Sequence, residues 1–349
     1  MSVNLLRLQD YRSVTCITDP KVGLVAYVSV HKLFNNKPSF GATRYAKYAS
    51  LDDALADAIG LSKLMTYKSV MAGLPYGGAK AVIVQQEGTN KQDVLRSYAK
   101  FISQLHKEFV TGADIGISQD DVAFMKTIAP LNIVGTDIDP VAYTIDGLLL
   151  AIEKTVNLHF EKQSLEQFSF AIQGAGKIGA SLLAALYPQV KKIYISDIDQ
   201  SRLNAIKKKY PKVEIVDPNN IYSVNADFFS PCAVSHSLNK STIPMLNCKV
   251  ILGGANIQLE SANIGKQLHK MDILYVPDYV VNAGGLISVT DEFEHNNISH
   301  PRIQKKITNI PLQVEKIIEM SKKNNMPTSV VADQMADSVI KKLSLSTEN

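Results

Sequence analysis

The sequence contains few cysteines and no long apolar segment. Only Cys16, Cys232 and Cys248 occur among its 349 residues, and they form no Cys-x-x-Cys pair. This argues against a disulfide framework or a zinc site and is typical of a reducing compartment. No apolar run reaches about 18 residues, and the N-terminus lacks the apolar core of a signal peptide. We therefore expect a cytoplasmic protein with no membrane partner and no metal.

The chain also lacks a strong charge of either sign. Its net charge is +4, and its basic residues are scattered rather than clustered, which argues against a nucleic-acid partner. The densest basic run, residues 207–209, falls on a predicted helix, and we interpret it as a solvent-exposed face. A chain of this length with 46% hydrophobic and 20% charged residues is typical of a globular protein with two domains.

The first third of the chain alternates between strand-like and helix-like segments. The predicted strands are 24–30 and 81–84, and the predicted helices are 51–65, with Ser50 as N-cap, and 94–109. The periodicity breaks at residues 135–140, where Pro140 disfavours helix in the residue before it. We place the boundary there, between a domain of residues 1–137 and a domain of residues 138–326.

The second domain shows regular alternation of strands and helices. After a helix at 141–156, the predicted strands are 168–173, 192–196, 213–216, 226–230, 250–252 and 273–276, and the predicted helices between the first of them are 177–186 and 201–210. Such alternation predicts an α/β fold with a parallel, doubly wound sheet. Helical periodicity returns over 303–344, broken at Pro327, and we expect a frayed tail over 344–349.

A glycine cluster after the first strand of the second domain has the pattern of a dinucleotide-binding turn. Gly174, Gly176 and Gly179 lie between a predicted strand and a predicted helix, and the next strand ends at Asp197, about 20 residues further on. The glycines would let the helix N-terminus approach a pyrophosphate. Asp197 would accept hydrogen bonds from the ribose hydroxyls and repel a 2′-phosphate, which favours NAD over NADP. The alternative is a structural glycine turn that binds nothing.

Two lysines and one acid lie in unusual surroundings in the first domain. Lys68 follows the buried face of a predicted helix, Lys80 follows two glycines and an alanine, and Asp114 stands among small residues. A buried lysine beside another cation has a lowered pKa and can act as a general base. A neighbouring carboxylate could shuttle protons, as deamination of an amino acid requires. The alternative is a pair of ordinary surface lysines.

Nine short segments of the chain resemble, in order, segments of a known enzyme family. They are FGATR (40–44), MTYK (65–68), AGLPYGGAK (72–80), ADIG (113–116), QGAGKIG (173–179), SDID (196–199), PCA (231–233), GGANIQL (253–259) and PDYVVNAGG (277–285). In these segments and their order the chain resembles the leucine/phenylalanine/valine branch of the amino acid dehydrogenases, relatives of glutamate dehydrogenase.

The resemblance implies a role for each matching position. Lys68 would bind the substrate α-carboxylate, Lys80 would be the general base, and Asp114 would be its proton-transfer partner. Gly41 would lie beside the substrate, and Asn256 would orient substrate and nicotinamide. The remaining cofactor positions would be Thr144, Gly174, Gly176, Lys177, Ile178, Gly179, Asp197, Cys232, Ala233 and Asn282.

The resemblance also implies the fold and the reaction. A catalytic domain would be joined to a Rossmann-type NAD domain by a cleft that closes, with the helix at about 327–349 packing back on the first domain. The reaction would be reversible oxidative deamination of an L-amino acid to a 2-oxo acid, ammonia and NADH, with water excluded on closure. The family further implies a homo-oligomer, at least a dimer.

The pocket positions implied by the resemblance are Phe40, Gly112, Leu286 and Val289. None is basic, so nothing would pair a second substrate carboxylate, and a hydrophobic substrate follows. Gly112 frees the volume of a methyl group, whereas the Phe40 ring would occupy part of the pocket. In having Gly112 and Leu286, the chain resembles family members that favour aromatic substrates. One methylene discriminates by only about 1–3 kcal/mol, so leucine and phenylalanine both stay open, with a slight preference for an aromatic-tolerant pocket.

Three departures from the family pattern bear on the cofactor site and the hinge. The segment before Pro140 is short, GGAK replaces the commoner GGGK, and Val234, Ser235 and His236 replace leucine-glycine-glycine after PCA. We interpret His236 as solvent-facing. The altered loop keeps open a non-catalytic paralogue that binds NAD or an amino acid. A hydroxy acid dehydrogenase is a third alternative, but it would need a histidine-centred acid and base.

Overall fold

The computed structural model describes residues 1–6, 8–105, 107–160, 163–295 and 297–347. The chain divides into two compact units. The first unit comprises Met1–Asp139, Ser288–His300 and Ala336–Asn349, and the second comprises Pro140–Ile287 and Pro301–Met335. Within the described ranges, no helix combines the length and the apolar character needed to cross a membrane.

The first unit is built on a six-stranded mixed sheet. Its strands are β1 (Ser2–Leu6), β2 (Ser13–Asp19), β3 (Leu24–Val30), β4 (Ser39–Ala46), β5 (Ala79–Val84) and β6 (Phe109–Ala113), and its first helices are α1 (Leu51–Met71), α2 (Lys91–Ile102) and α3 (Gln119–Lys126). The spatial order is β1-β2-β3-β5-β4-β6, and β4 is parallel to both of its neighbours. Since β4 lies between β5 and β6, residues at the ends of these three strands become neighbours.

Two helix predictions in the first unit need correction. The helix predicted over 94–109 ends at Ile102, and Phe109 instead begins β6. The run Phe109-Val110-Thr111 consists of residues that favour strands and is fully buried in the sheet. The helix predicted over 51–65 continues to Met71, so that Lys68 lies inside it. The Ser50 N-cap is confirmed, since its side chain accepts a hydrogen bond from the Asp53 N–H.

The second unit contains the predicted parallel, doubly wound sheet. Its elements begin with α4 (Pro140–His159), β7 (Ser169–Gln173), α5 (Lys177–Leu186), β8 (Lys192–Ser196), α6 (Gln200–Lys209), β9 (Glu214–Ile215), β10 (Phe228–Pro231), β11 (Val250–Ile251), α7 (Ala262–Lys270), β12 (Leu274–Tyr275) and α8 (Asp278–Val281). The order β12-β11-β10-β7-β8-β9 has its switch point between β7 and β10. Ligands of such sheets bind at the carboxyl ends of the strands at this point.

Four helices complete the chain: α9 (Gly284–His295), α10 (His300–Ile307), α11 (Asn309–Asn324) and α12 (Thr328–Thr347). The boundary between the units falls within α9 and within α12. The predicted frayed tail is wrong up to residue 347, because α12 continues to that point, and the last two residues lie outside the described part of the chain. The basic run 207–209 is exposed on α6, as predicted, and the three cysteines are free thiols.

Aromatic packing at the centre of the second sheet gives a stability prediction. Phe228 is fully buried, and its ring stacks on that of Phe170 with a centroid separation of 4.5 Å. Truncation to alanine removes these contacts and leaves a cavity, so we expect Phe228→Ala to lower the free energy of unfolding by about 3–5 kcal/mol. Urea denaturation followed by circular dichroism measures the change. Ile198→Ala is the control, because Ile198 is 95% exposed, and equal midpoints for the two variants would contradict the prediction.

Candidate active site

The first group of candidate site residues lies in the first unit, at the start of β5 and after the end of β6. Lys80, on β5, is 4% exposed, and its Nζ forms an ion pair with Oδ2 of Asp114, which follows β6 directly. The predicted general base and its predicted proton-transfer partner are therefore brought into contact by the fold. The pair is shielded from water on the Lys80 side, which makes the charge on the lysine costly.

The electrostatics of this pair depend on a third group. Burial lowers the pKa of Lys80, Asp114 opposes that effect, and the guanidinium of Arg44 reinforces it, with a net lowering. Burial alone would raise the pKa of Asp114, but Lys80 and Arg44 outweigh it and hold that pKa at about 2. Arg44 is thus the cation that lowers the pKa of Lys80 beyond the effect of burial. The sequence had suggested Lys68 as that neighbouring cation.

A buried hydrogen-bond network holds the glycine-rich segment before Lys80 in place. Oγ1 of Thr66 lies 2.8 Å from Nδ1 of His31 and accepts a hydrogen bond of 2.9 Å from the Gly78 N–H. The backbone packs so closely here that a Cβ on Gly78 would lie 2.0 Å from the Thr66 nitrogen. The position of Lys80 is therefore set by contacts between this segment, β3 and α1.

Lys68 and the two glycines predicted to lie near the substrate belong to the same unit. Lys68 is half-buried in the last turn of α1. A Cβ on Gly41 would lie 1.9 Å from the carbonyl oxygen of Ala79, so β4 and β5 could not approach as they do with a side chain there. A methyl group on Gly112 would lie 3.2 Å from the carbonyl oxygen of Val134. The backbone at Val134 therefore takes part of the volume that Gly112 leaves free.

Aromatic contacts form an apolar cluster in the first unit. The ring of Phe40, fully buried, meets Tyr76 edge-on at 4.7 Å and Phe293 at 5.2 Å between centroids. Phe293 lies one helical turn after Val289 on α9, so the two side chains share a helix face. The Tyr76 hydroxyl donates a 2.8 Å hydrogen bond to Glu294, and burial together with Glu294 raises the pKa of Tyr76 and keeps its phenol neutral. Tyr76, Phe293 and Glu294 were not predicted from the sequence.

The second group of candidate site residues lies in the second unit and begins with the turn between β7 and α5. Gly174 has φ +100°, which only glycine adopts easily, and its N–H donates to the Ser196 carbonyl at 2.8 Å. A Cβ on Gly179 would lie 1.8 Å from the Gly174 carbonyl oxygen and 3.3 Å from Cβ of Cys232. A Cβ on Gly174 would lie 2.7 Å from Cβ of Ala233. The predicted turn and the predicted PCA loop are thus in contact.

The N-terminus of α5 leaves space in which a phosphate group could lie. A Cβ on its N-cap residue, Gly176, would meet no atom of the described residues within 4 Å. Lys177 is exposed and Ile178 is half-buried at the start of the helix. Burial raises the pKa of the Cys232 thiol to about 12, so this residue is neutral beside the turn. A bound pyrophosphate would fill the space over Gly176 and face the helix dipole.

Asp197 stands at the end of β8 and is tied to the glycine turn. One carboxylate oxygen accepts a 2.6 Å hydrogen bond from the Ala175 N–H, and the other accepts a 2.8 Å hydrogen bond from the Asp199 N–H. Arg202 lies 3.2 Å from Asp199 and 3.8 Å from Asp197, so two carboxylates offset its charge. Next to Asp197, the exposed Ile198 offers an apolar surface that the sequence analysis did not assign to the site.

Two asparagines meet on the other side of the switch point. Nδ2 of Asn282 donates to Oδ1 of Asn256 at 3.0 Å and to the Gly254 carbonyl at 3.3 Å. Oδ1 of Asn282 is buried and has no hydrogen-bond partner within the described part of the chain. A buried polar atom of this kind normally has a partner, and an amide donor from a bound dinucleotide would supply one.

Thr144, Leu286 and the altered loop also belong to the second unit. Thr144 Oγ1 donates to the Pro140 carbonyl at 2.8 Å and accepts from the Gly285 N–H at 3.1 Å, and Leu286 is buried near the start of α9. His236 is exposed, as expected, and has φ +57°. Its N–H donates to the Ile257 carbonyl at 2.7 Å. The unusual loop is therefore tied to the segment that carries Asn256 through its backbone.

Comparison with known proteins agrees with the family that the sequence resembles. Residues 13–129 match the Glu/Leu/Phe/Val dehydrogenase dimerisation domain, and residues 189–343 match the glutamate/leucine/phenylalanine/valine dehydrogenase domain. The chain is 35% identical over 334 residues to leucine dehydrogenase of Geobacillus stearothermophilus, covering 94% of this chain and 90% of that one. It is 34% identical over 350 residues to phenylalanine dehydrogenase of Bacillus thermotolerans, covering 96% and 90%.

A solved structure agrees with these matches. The crystal structure of L-tryptophan dehydrogenase from Nostoc punctiforme superimposes with a TM-score of 0.79 at 33% identity, covering 96% of this chain and 97% of that chain. Fold and site therefore define a dehydrogenase that uses a nicotinamide cofactor. The chain belongs to the Glu/Leu/Phe/Val dehydrogenase family. It is an amino acid dehydrogenase, an oxidoreductase, which confirms the resemblance found in the sequence.

The network around Thr66 predicts a dependence of stability on pH. Burial, with Lys32 and Lys63, lowers the pKa of His31 to about 4, below the ordinary 6.5. Protonation therefore favours the unfolded chain, so this contribution is fully present above pH 6.5 and is lost as the pH falls towards 4. We expect a loss of about 3 kcal/mol over that range. His31→Gln should remove most of it, as measured by urea denaturation at several pH values.

The exposed His300 provides the matched control, since His300→Gln should keep the full dependence of the parent protein. Parallel stability curves for the parent and His31→Gln would show that another group carries the pH dependence.

Proposed function

We propose that this dehydrogenase catalyses the NAD-dependent, reversible oxidative deamination of a hydrophobic L-amino acid to the 2-oxo acid, ammonia and NADH. The observation that carries the proposal is the buried Lys80, paired with Asp114 and with a lowered pKa. The lowered pKa favours the neutral amine of Lys80, and a neutral amine can take a proton from water. Hydrolysis of an imine requires that step.

Each residue of the first unit then has a role in handling charge and protons. Lys68 binds the substrate α-carboxylate, and the neutral form of Lys80 takes a proton from the water that attacks the imine. Asp114, held ionised beside Lys80, accepts and returns protons as ammonia leaves. A nicotinamide held near Asn256 and Thr144 would supply the acceptor for the hydride of the α-carbon. Gly41 would leave room beside the substrate, and bulk water would be excluded from the reacting atoms, apart from the one water that attacks the imine.

The second unit is proposed to hold the dinucleotide. The space over Gly176, the contact of Gly174 and Gly179 with the PCA loop, and the unpartnered Oδ1 of Asn282 all suit a dinucleotide. Lys177 and Ile178 follow the turn, and Asn256 and Thr144 would orient the nicotinamide. Asp197 would bind the adenosine ribose, and its negative charge supports NAD as the preferred form.

The substrate class follows from the residues that the family resemblance assigns to the substrate side chain. Phe40 and Val289 in the first unit and Leu286 in the second are apolar, and Gly112 adds no side chain. Relatives named for leucine, phenylalanine and tryptophan support a hydrophobic amino acid. We propose a pocket that admits aromatic side chains as well as branched aliphatic ones. The match of residues 13–129 to a dimerisation domain supports an oligomer formed through the first unit, and the free thiols suit a cytoplasmic location.

Steady-state kinetics test the proposed reaction. We expect NADH oxidation with phenylpyruvate and with 4-methyl-2-oxopentanoate, in both cases only when ammonium is present, with the higher kcat/KM for phenylpyruvate. Lys80→Ala should reduce kcat by about 10²–10⁴-fold because the general base is lost, while NADH binding persists. Lys47→Ala is the control, since Lys47 forms only an exposed ion pair with Glu87.

Three other outcomes would contradict this reaction. Turnover without ammonium would indicate a hydroxy acid dehydrogenase. NADH binding without turnover on either substrate would favour a binding protein. Normal turnover by the Lys80→Ala variant would show that Lys80 is not the general base.

Cofactor choice is tested at the end of β8. Asp197→Ser removes the charge that would repel a 2′-phosphate and frees Arg202 from one of its carboxylates. We expect the ratio of kcat/KM for NADP to that for NAD to rise by about tenfold or more, since a single charge contact is worth about 1–3 kcal/mol. Asp217→Ser, elsewhere in the second unit, should leave the ratio unchanged. A parent protein that prefers NADP would refute the role given to Asp197.

A further inference from the structure

Arg44 joins two carboxylates behind the proposed catalytic pair. It lies on β4 with its side chain 12% exposed, and its Nη1 is 2.8 Å from Oδ2 of Asp57 on α1. Its Nε is 3.2 Å from Oδ2 of Asp114. That oxygen is the same one that pairs with Lys80. A single carboxylate oxygen therefore holds two cations, one from each of two neighbouring strands.

The far side of the guanidinium is fixed by a separate group. The Tyr48 hydroxyl donates to Oδ2 of Asp57 at 2.5 Å, and burial with Asp57 raises the pKa of Tyr48 so that it stays a donor. Burial opposes the charge on Arg44, but Asp114 and Asp57 outweigh it and raise its pKa. Arg44 is thus permanently charged and held from both ends, with little freedom to turn away from Asp114.

Within the described part of the chain, charged groups from β4, α1 and the end of β6 act on the pair with different signs. Arg44 from β4 disfavours the ammonium form of Lys80, whereas Asp114 after β6 and Asp57 from α1 favour it. Arg44 and Lys80 favour the ionised form of Asp114, as does the Ile115 N–H. Removing Arg44 and removing Asp57 should therefore change the protonation of Lys80 in opposite directions.

We infer that Arg44 is a positioning residue of the proposed reaction, which fixes the ionised Asp114 beside Lys80 and biases Lys80 towards its neutral, proton-accepting form. This inference rests on the proposed function. Arg44 acts through the two groups that would exchange protons with the substrate and needs no contact with the substrate itself. Asp57 and Tyr48 complete the support by holding Arg44.

The pH dependence of kcat/KM for deamination tests the inference. The acid limb reports the protonation of the base, so Arg44→Met should move it to higher pH by about one unit or more, given the loss of a full charge at this distance. Activity lost at neutral pH should return at alkaline pH. Arg44→Lys keeps the charge and should keep the acid limb near its parent position. Asp57→Asn should move the limb to lower pH. Arg12→Met, which breaks only a surface pair with Glu108, is the control.

A second measurement does not depend on turnover. Trace labelling with acetic anhydride, with the Lys80 peptide quantified by mass spectrometry, follows the neutral fraction of that amine against pH. The labelling midpoint should rise in Arg44→Met and fall in Asp57→Asn. An unchanged midpoint and acid limb in Arg44→Met, or shifts of the same sign in both variants, would overturn the inference.

Two further results separate the possible failures. If Arg44→Met does not fold, the Asp57→Asn variant alone tests the inference. An unchanged acid limb and an unchanged labelling midpoint in Asp57→Asn would then refute the role of the cluster formed by Arg44, Asp57 and Asp114. If the parent enzyme shows no ammonium-dependent turnover, the proposed function fails and this inference falls with it. An active parent with unshifted variants refutes the role of Arg44 alone.

Discussion

The burial of one ammonium group is the constraint on which the first unit depends. A charge taken out of water is stable only beside an opposite charge with good geometry. Lys80 meets this condition through Asp114, and the spatial order of the strands supplies the contact, because β4 lies between β5 and β6. The same order places Arg44, on β4, against the carboxylate oxygen of Asp114 that pairs with Lys80. Strand topology therefore determines the protonation chemistry as well as the fold.

Close approach of backbone segments is the second requirement, and it is met in both units. Gly78 lets the segment before Lys80 pack against α1, and Gly179 lets α5 pack against the turn that starts at Gly174. In each case the nearest atoms belong to backbone, which cannot yield as a flexible side chain would. The two glycine clusters thus share one property, the absence of a Cβ where two backbone segments of the chain meet.

Local patterns predicted the second unit better than the first. The helix Lys177–Leu186 was predicted to the residue, because glycines precede it and Pro188 follows it, and alternation of short strands and helices has few alternatives to a parallel sheet. The strand Phe109–Ala113 was missed because a helical pattern ran into it without a proline or glycine to mark the change. Such a short apolar run fits either period, and only its partners in the sheet decide.

The site shows the same division between local and non-local information. Lys80, Asp114 and the glycine turn were predicted because each lies in a short segment with unusual neighbours. Arg44 was also within a recognised segment, yet its role depends on Asp57, which reaches it from a helix, and on an oxygen shared with Lys80. No spacing in the sequence encodes that meeting.

The charge that lowers the pKa of a buried lysine can therefore come from a residue that no local pattern singles out. The sequence suggested Lys68 as the neighbouring cation, and the structure shows Arg44 in that place. An arginine is better suited to this position, because it stays charged at every working pH and binds two carboxylates in fixed directions. A lysine there would keep a charge beside the two carboxylates, but its ammonium group would not hold both of them in fixed directions, as Nη1 and Nε of Arg44 do.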